Sequence, residues 1–275
     1  KAGVVAMANV PIFVPGRKAY GLLQVDATEP RDFTDADTEF LRTYAISPDS
    51  ELLDHIRART RCRVVTPNAE FALEAKKNPR FLNILNRSQL VLADGISVVY
   101  ASRIVGTPMS GRVTGVGFAQ ALAKGMAGEG MRLFLLGAKP GVAEEAGRRL
   151  AAQYPGLVIA GTHDGYFQDE GPVVAAINAA KPDALLVCLG APKQEYFMED
   201  HGADLEVPVM AGLGGSMDVL AGNVTRAPDF YQKHGLEWLY RLCKEPKRWK
   251  RMIRLPVYLW DAFVWKLSKG GQKQC

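Results

Sequence analysis

Six short apolar runs, at 62–65, 91–93, 132–137, 156–161, 184–190 and 207–212, constrain the fold of this 275-residue chain more than any other feature. Each is separated from the next by enough residues for a helix. A strand buried on both faces reads as an unbroken apolar run, and strands that alternate with helices imply a parallel sheet with helices on both sides. The fold class expected is α/β, a Rossmann-like, mostly parallel sheet with helices on both faces. At 48% hydrophobic residues the chain can bury one large core, or one large and one small. We read three segments: 1–45, a core at 46–232, and a C-terminal appendage at 233–275.

The first segment differs from the rest. Val10-Pro11-Ile12-Phe13-Val14 and Ala19-Tyr20-Gly21-Leu22-Leu23-Gln24-Val25 predict a hairpin around Pro15-Gly16-Arg17-Lys18, and Thr34 opens a helix with Asp35 and Asp37 in its first turn. Asp35-Ala36-Asp37 matches the DxD metal signature of sugar-nucleotide enzymes, but an acidic first turn accounts for it as well. The apolar start is interrupted by Pro11 and Pro15, so no signal peptide is expected. Cys62, Cys188, Cys243 and Cys275 have no CxxC spacing, which predicts neither a zinc site nor a disulfide framework and fits a reducing cytosol.

In open α/β sheets, ligands bind beyond the carboxyl ends of the strands. Those ends carry most of the polar candidates. One strand ends in Thr66-Pro67-Asn68, followed by a helix with Phe71, Leu73, Phe81, Leu82 and Leu85 on its inner face. The next ends in Asp94-Gly95, where Asp94 is either a site carboxylate or the cap of the following helix. Gly137-Ala138-Lys139-Pro140-Gly141 is a diphosphate cradle at a helix start or an ordinary tight turn; it lacks GxGxxG spacing, which weakens a nicotinamide reading. Gly190-Ala191-Pro192-Lys193-Gln194-Glu195 puts a cation, an amide and an acid on one loop, and Gly212-Leu213-Gly214-Gly215-Ser216-Met217-Asp218 gives close backbone approach. Together these loops make a rim of Thr66, Asn68, Asp94, Lys193, Gln194 and Asp218 suited to a nucleotide-bearing substrate. Arg112 is a site cation or a solvated one, and His163 is a base or a turn residue.

The appendage holds the basicity. From Lys233 onward eleven Lys and Arg face three acids, a net +8 that leaves −3 for the rest of a chain whose total is +5. All four tryptophans lie there too. Cations interleaved with large apolar groups suit an interfacial helix pair on anionic lipid, with Pro246 and Pro256 breaking the segment into short helices. The Trp, Leu and Val content beyond Leu255 argues against nucleic acid. Docking against the core is the competing account. The stretch 255–267 is too short to span a bilayer and contains Asp261.

With these motifs assembled, residues from about 50 to 268 resemble the WecG/TagA/CpsF family of bacterial glycosyltransferases. The resemblance rests on Thr66-Pro67-Asn68-Ala69-Glu70, Ala93-Asp94-Gly95, Gly111-Arg112-Val113-Thr114-Gly115, Leu189-Gly190-Ala191-Pro192-Lys193-Gln194-Glu195, Gly214-Gly215-Ser216-Met217-Asp218 and Glu245-Pro246-Lys247-Arg248-Trp249. It implies inverting transfer of N-acetylmannosamine or a related sugar from a UDP donor to N-acetylglucosamine on undecaprenyl diphosphate, in cell-surface polysaccharide or teichoic acid synthesis. Neither a metal nor another cofactor is implied. The family's proposed base corresponds to Asp94, its site threonine and asparagine to Thr66 and Asn68, and its site arginine to Arg112. Gln194 and Asp218 match further pocket positions, and Arg241, Arg248 and Arg251 match tail arginines proposed to complete the site on the membrane. With Gly137 and Lys193 these form the candidate set.

The implied location is cytoplasmic, peripheral on the inner face of the cell membrane, with a homo-oligomer left open. Two departures stand out. The family often has an acid where this chain has Gly117, and its own lead-in is replaced here by a segment resembling the last part of a GAF domain. Rival readings are another nucleotide-sugar or dinucleotide enzyme, and an inert GAF-linked regulatory module.

Overall fold

The computed structural model describes residues 6–11, 22–27, 51–106, 109, 112–225, 227–228, 230–231, 237–244, 249 and 253–269. Strands β1 (Ala6–Pro11) and β2 (Leu22–Ala27) form the antiparallel hairpin expected near the amino terminus. Its described ladder runs from Ala6 paired with Ala27 to Pro11 paired with Leu22, and residues 12–14 of the expected first strand lie outside the described residues. The predicted turn and the Thr34 helix lie outside the described residues.

The core follows the alternation of the sequence. In order come α1 (Glu51–Arg57), β3 (Cys62–Val65), α2 (Ala69–Lys77), α3 (Pro79–Asn86), β4 (Leu90–Val91), α4 (Ile96–Val105) and α5 (Gly115–Ala127). Then follow β5 (Arg132–Gly137), α6 (Val142–Gln153), β6 (Val158–His163), α7 (Gly171–Ala180), β7 (Ala184–Cys188), α8 (Lys193–Asp200), β8 (Val209–Gly212) and α9 (Ser216–Leu220). The appendage contributes α10 (Glu237–Lys244) and α11 (Arg254–Lys269). Two helices replace the single one expected after Asn68. Pro79 disfavours a helical conformation at Asn78, while Asn78 accepts the Phe81 N–H and caps a new helix with Pro79 at its first turn.

The six core strands form one parallel sheet in the order β4-β3-β8-β7-β5-β6. Alternate residues of each strand enter opposite layers. Leu133, Leu135, Leu186 and Ala211 join one apolar cluster, which α1, α5 and α6 cover with Leu52, Leu122 and Leu150. Phe134, Leu136, Leu185 and Met210 join the other, covered by Phe81 of α3, Ile177 of α7 and Phe197 of α8. Burial on both faces is why the strands read as continuous apolar runs.

The chain leaves β5 outward to β6 but leaves β7 back toward β8, so the strand order reverses between β5 and β7. A crevice opens at such a point on the carboxyl side. There Gly137, at φ +126°, lies so close to β7 that a Cβ would stand 2.4 Å from the Cys188 carbonyl oxygen.

Candidate active site

Each predicted rim residue is held by the strand end that carries it. Thr66 is buried, and its hydroxyl donates to the Gly212 carbonyl at 2.8 Å, joining the ends of β3 and β8. Asn68 caps α2 by accepting the Glu70 N–H at 2.8 Å. Asp94 follows β4, where its own N–H donates to the Pro67 carbonyl at 3.1 Å. Gly95 rests against Asn68, with space so limited that a Cβ would meet the Asn68 Cβ at 3.1 Å. Thr66, Asn68 and Asp94 therefore form one patch.

The Asp94 carboxylate is half-buried and does not cap α4, whose N-cap is Gly95 without a side-chain bond. Its Oδ1 accepts the Gly115 N–H, 3.2 Å away, at the start of α5. The amino end of a helix carries partial positive charge and suits a carboxylate. The segment supplying that N–H runs beside β4, since the Val113 N–H donates to the Ala93 carbonyl at 2.9 Å. The backbone of Arg112 is thereby placed beside the end of β4, one residue from the Val113–Ala93 bond.

Gly115 also joins this patch to β8. A Cβ on it would meet the Ser216 hydroxyl at 2.6 Å, so glycine allows α5 to begin against the 212–216 loop. Gly117 sits one turn into α5, where its N–H donates to the capping Thr114 hydroxyl at 3.1 Å. A Cβ there would stand 3.0 Å from that hydroxyl. The missing family acid thus leaves a helix start closed by its own cap.

Beyond β7, Gln194 is buried and lies flat under the β8 loop. Its Oε1 accepts the Gly214 N–H at 2.9 Å, and its Nε2 donates to Glu195 Oε1 at 2.7 Å. Glu195 is fully buried, and its Oε2 has no hydrogen-bond partner among the described residues. Burial pushes this carboxyl up to about 7. Asp218 is half-buried in the first turn of α9, and its carbonyl accepts the Asn223 N–H at 2.9 Å.

Lys193 is directed differently from the sequence reading. Its ammonium lies 4.3 Å from the centre of the Phe167 ring and donates to the Gly165 carbonyl at 3.3 Å, clamping the loops after β6 and β7 together. His163 ends β6 with Nδ1 2.8 Å from the Asp164 carbonyl oxygen and its ring edge-on to Phe167, in keeping with a turn residue. Cys188 lies beneath the crevice, where burial pushes its thiol up to about 12 and leaves it a poor nucleophile.

Arg112 has a partner that sequence reasoning missed. Its Nη2 donates to Glu237 Oε2 of α10, an ion pair whose side chains are only 15% and 10% exposed. The signal was one of three acids in a segment of cations, with nothing to say which cation it met. The side chain of Arg241, and Arg248 and Arg251 altogether, lie outside the described residues.

The last helix docks on the site's own supports. Tyr258 and Ala262 of α11 pack with Ala69 and Ala72 of α2 and Ala101 of α4. Lys76 and Asp261 pair at 3.1 Å, and Arg254 and Glu70 at 3.5 Å. Pro256 stands in the first turn of α11, a position that needs no N–H from it, and Ile253 before that helix is a turn residue. The opposite face leaves Val257, Trp260, Phe263, Val264 and Leu267 exposed, Trp260 at 64%. No helix among the described residues is long and apolar enough to cross a membrane.

Residues 44–272 match the model of the Glycosyl transferase WecG/TagA/CpsF family, which leaves the amino-terminal hairpin outside the match. An N-acetylglucosaminyldiphosphoundecaprenol N-acetyl-beta-D-mannosaminyltransferase of Bacillus spizizenii is 40% identical over 196 residues, 71% of this chain and 76% of that protein. The protein of the same name in Bacillus subtilis is 39% identical over 195 residues, with 71% and 76% covered. That of Staphylococcus aureus is 34% identical over 211 residues, 76% of this chain and 81% of its own. By the extent of the family match and the identity to these enzymes, the chain belongs to the WecG/TagA/CpsF family of glycosyltransferases.

Proposed function

We propose that this protein transfers N-acetylmannosamine from a UDP donor to N-acetylglucosamine on undecaprenyl diphosphate, with inversion at the anomeric carbon. The names of its relatives support the acceptor and the sugar. One observation carries the chemistry: a half-buried carboxylate at the end of β4, held by the amino end of α5 and adjoining Arg112. In this reading Asp94 takes the proton from the acceptor hydroxyl as its oxygen bonds to the anomeric carbon. The bond from that carbon to the diphosphate oxygen breaks, and UDP leaves with the electron pair. Positioned base assistance is typically worth about 10²–10⁴ in rate. Arg112 stabilises the charge growing on the diphosphate, as fixed cations do where water is scarce.

Thr66, Asn68, Gln194, Asp218 and the Gly137 turn shape the donor pocket, and Lys193 supports it as a clamp. Arg241, Arg248 and Arg251 complete the site from the appendage. The apolar outer face of α11 seats on anionic lipid at the inner face of the cell membrane, where a lipid-linked acceptor resides. The test is UDP release from UDP-N-acetylmannosamine, with and without lipid-linked N-acetylglucosamine on anionic vesicles. Release that requires acceptor is expected. Equal release without it contradicts the assignment.

A further inference from the structure

The Arg112–Glu237 pair joins the proposed site to the appendage across 125 positions of sequence. Both side chains are largely withdrawn from water, where a charge is costly without an opposite one beside it. The contact is end-on: among the described residues, Nη2 is the guanidinium nitrogen that meets a carboxylate. A planar guanidinium has donors on two further nitrogens, and anchoring one corner restricts the directions in which the other two can point. The backbone beside Arg112 is already fixed through Val113 and Gly115, against Ala93 and Asp94. What it leaves undetermined is the direction of a long side chain.

We propose that Glu237 is the positioning residue for Arg112, orienting its guanidinium toward the diphosphate of the donor and making the placement of α10 a condition of donor binding. This inference rests on the UDP-donor reading above. It does not require Glu237 to hold the appendage on the core. α11 is docked separately by Tyr258 and Ala262 and by the Asp261 and Arg254 ion pairs. Loss of Glu237 should therefore free Arg112 while α11 stays in place.

The experiment is a double-mutant cycle on the full-length chain with Glu237→Ala, Arg112→Ala and the pair, read by calorimetric titration of UDP and by kcat and KM for the donor. Glu237→Ala should reduce kcat/KM by about 100-fold, the usual scale for a misplaced site group. It should weaken UDP binding while trypsin cleaves within α11 at the wild-type rate. Glu237→Gln, which keeps the acceptor oxygen, should recover part of the loss. The pair should be no worse than Arg112→Ala alone. Independent, multiplying losses in the pair would overturn the proposal, as would full UDP affinity in Glu237→Ala. A wild-type chain that does not bind UDP overturns the donor reading first, and a chain that binds UDP but shows multiplying losses overturns only the role of Glu237.

Discussion

Two carboxylates flank the same rim and live in opposite surroundings. Asp94, beyond β4, is half-buried and accepts a backbone N–H at the amino end of a 13-residue helix. Glu195, beyond β7, is fully buried, meets the neutral Gln194 amide through one oxygen, and is pushed up to about 7 by loss of water. Sequence position alone makes them equivalent, since both follow an apolar strand. Their surroundings separate an acid suited to take a proton from substrate from one suited to brace a loop.

The largest expected effect tests the first half of that contrast. Asp94→Asn should lower turnover by about 10²–10⁴ while leaving UDP affinity close to wild type, measured by steady-state kinetics and calorimetry. Glu195→Gln, in the same assay, should stay within about tenfold, because an amide can still accept from Gln194 through its oxygen. Equal losses would erase the distinction.

The second half is a stability claim with a definite sign. Below the ordinary carboxylate range Glu195 is protonated both folded and unfolded and costs nothing. As pH rises the unfolded chain loses this proton first, and the folded chain keeps it until about 7. The folded state therefore binds more protons across that window, and stability must fall as pH rises through it. The fall reaches about 3 kcal/mol above the window. Chemical denaturation at a series of pH values should show it in the wild type, and Glu195→Gln should flatten it.

Gln194→Ala should cost about 1–3 kcal/mol, since it strands the buried Glu195 oxygen and the Gly214 N–H. Thr114→Ala should cost less, about 1 kcal/mol, as the loss of a helix cap. Denaturation midpoints check both. Because the Gly115 N–H is backbone, the smaller change should leave the Asp94 contact intact.

Much of this was legible in the sequence, for physical reasons. Leu133 to Leu136 and Leu185 to Val187 face buried layers on alternate sides, so nothing polar interrupts them. The strand ends were equally plain, and Thr66, Asn68 and Asp94 fell together because β3 and β4 are neighbours in the sheet. Gly115 and Gly137 marked turns, but what each backbone approaches depends on the packing of α5 and β7. Lys193 shared a loop with Gln194, yet loop membership does not fix where a long cation points. Glu195 was one acid on a polar loop, and its burial follows from the helix phase of α8, which turns it inward. Glu237 was out of reach because pairing across the fold leaves no local pattern.

The most direct test of the mechanism is the configuration of the new glycosidic bond, read by NMR on product made from an α-linked UDP donor. Single displacement assisted by Asp94 predicts the β linkage. An α linkage would mean retention, and Asp94 could not then be acting as the base of a single inverting displacement.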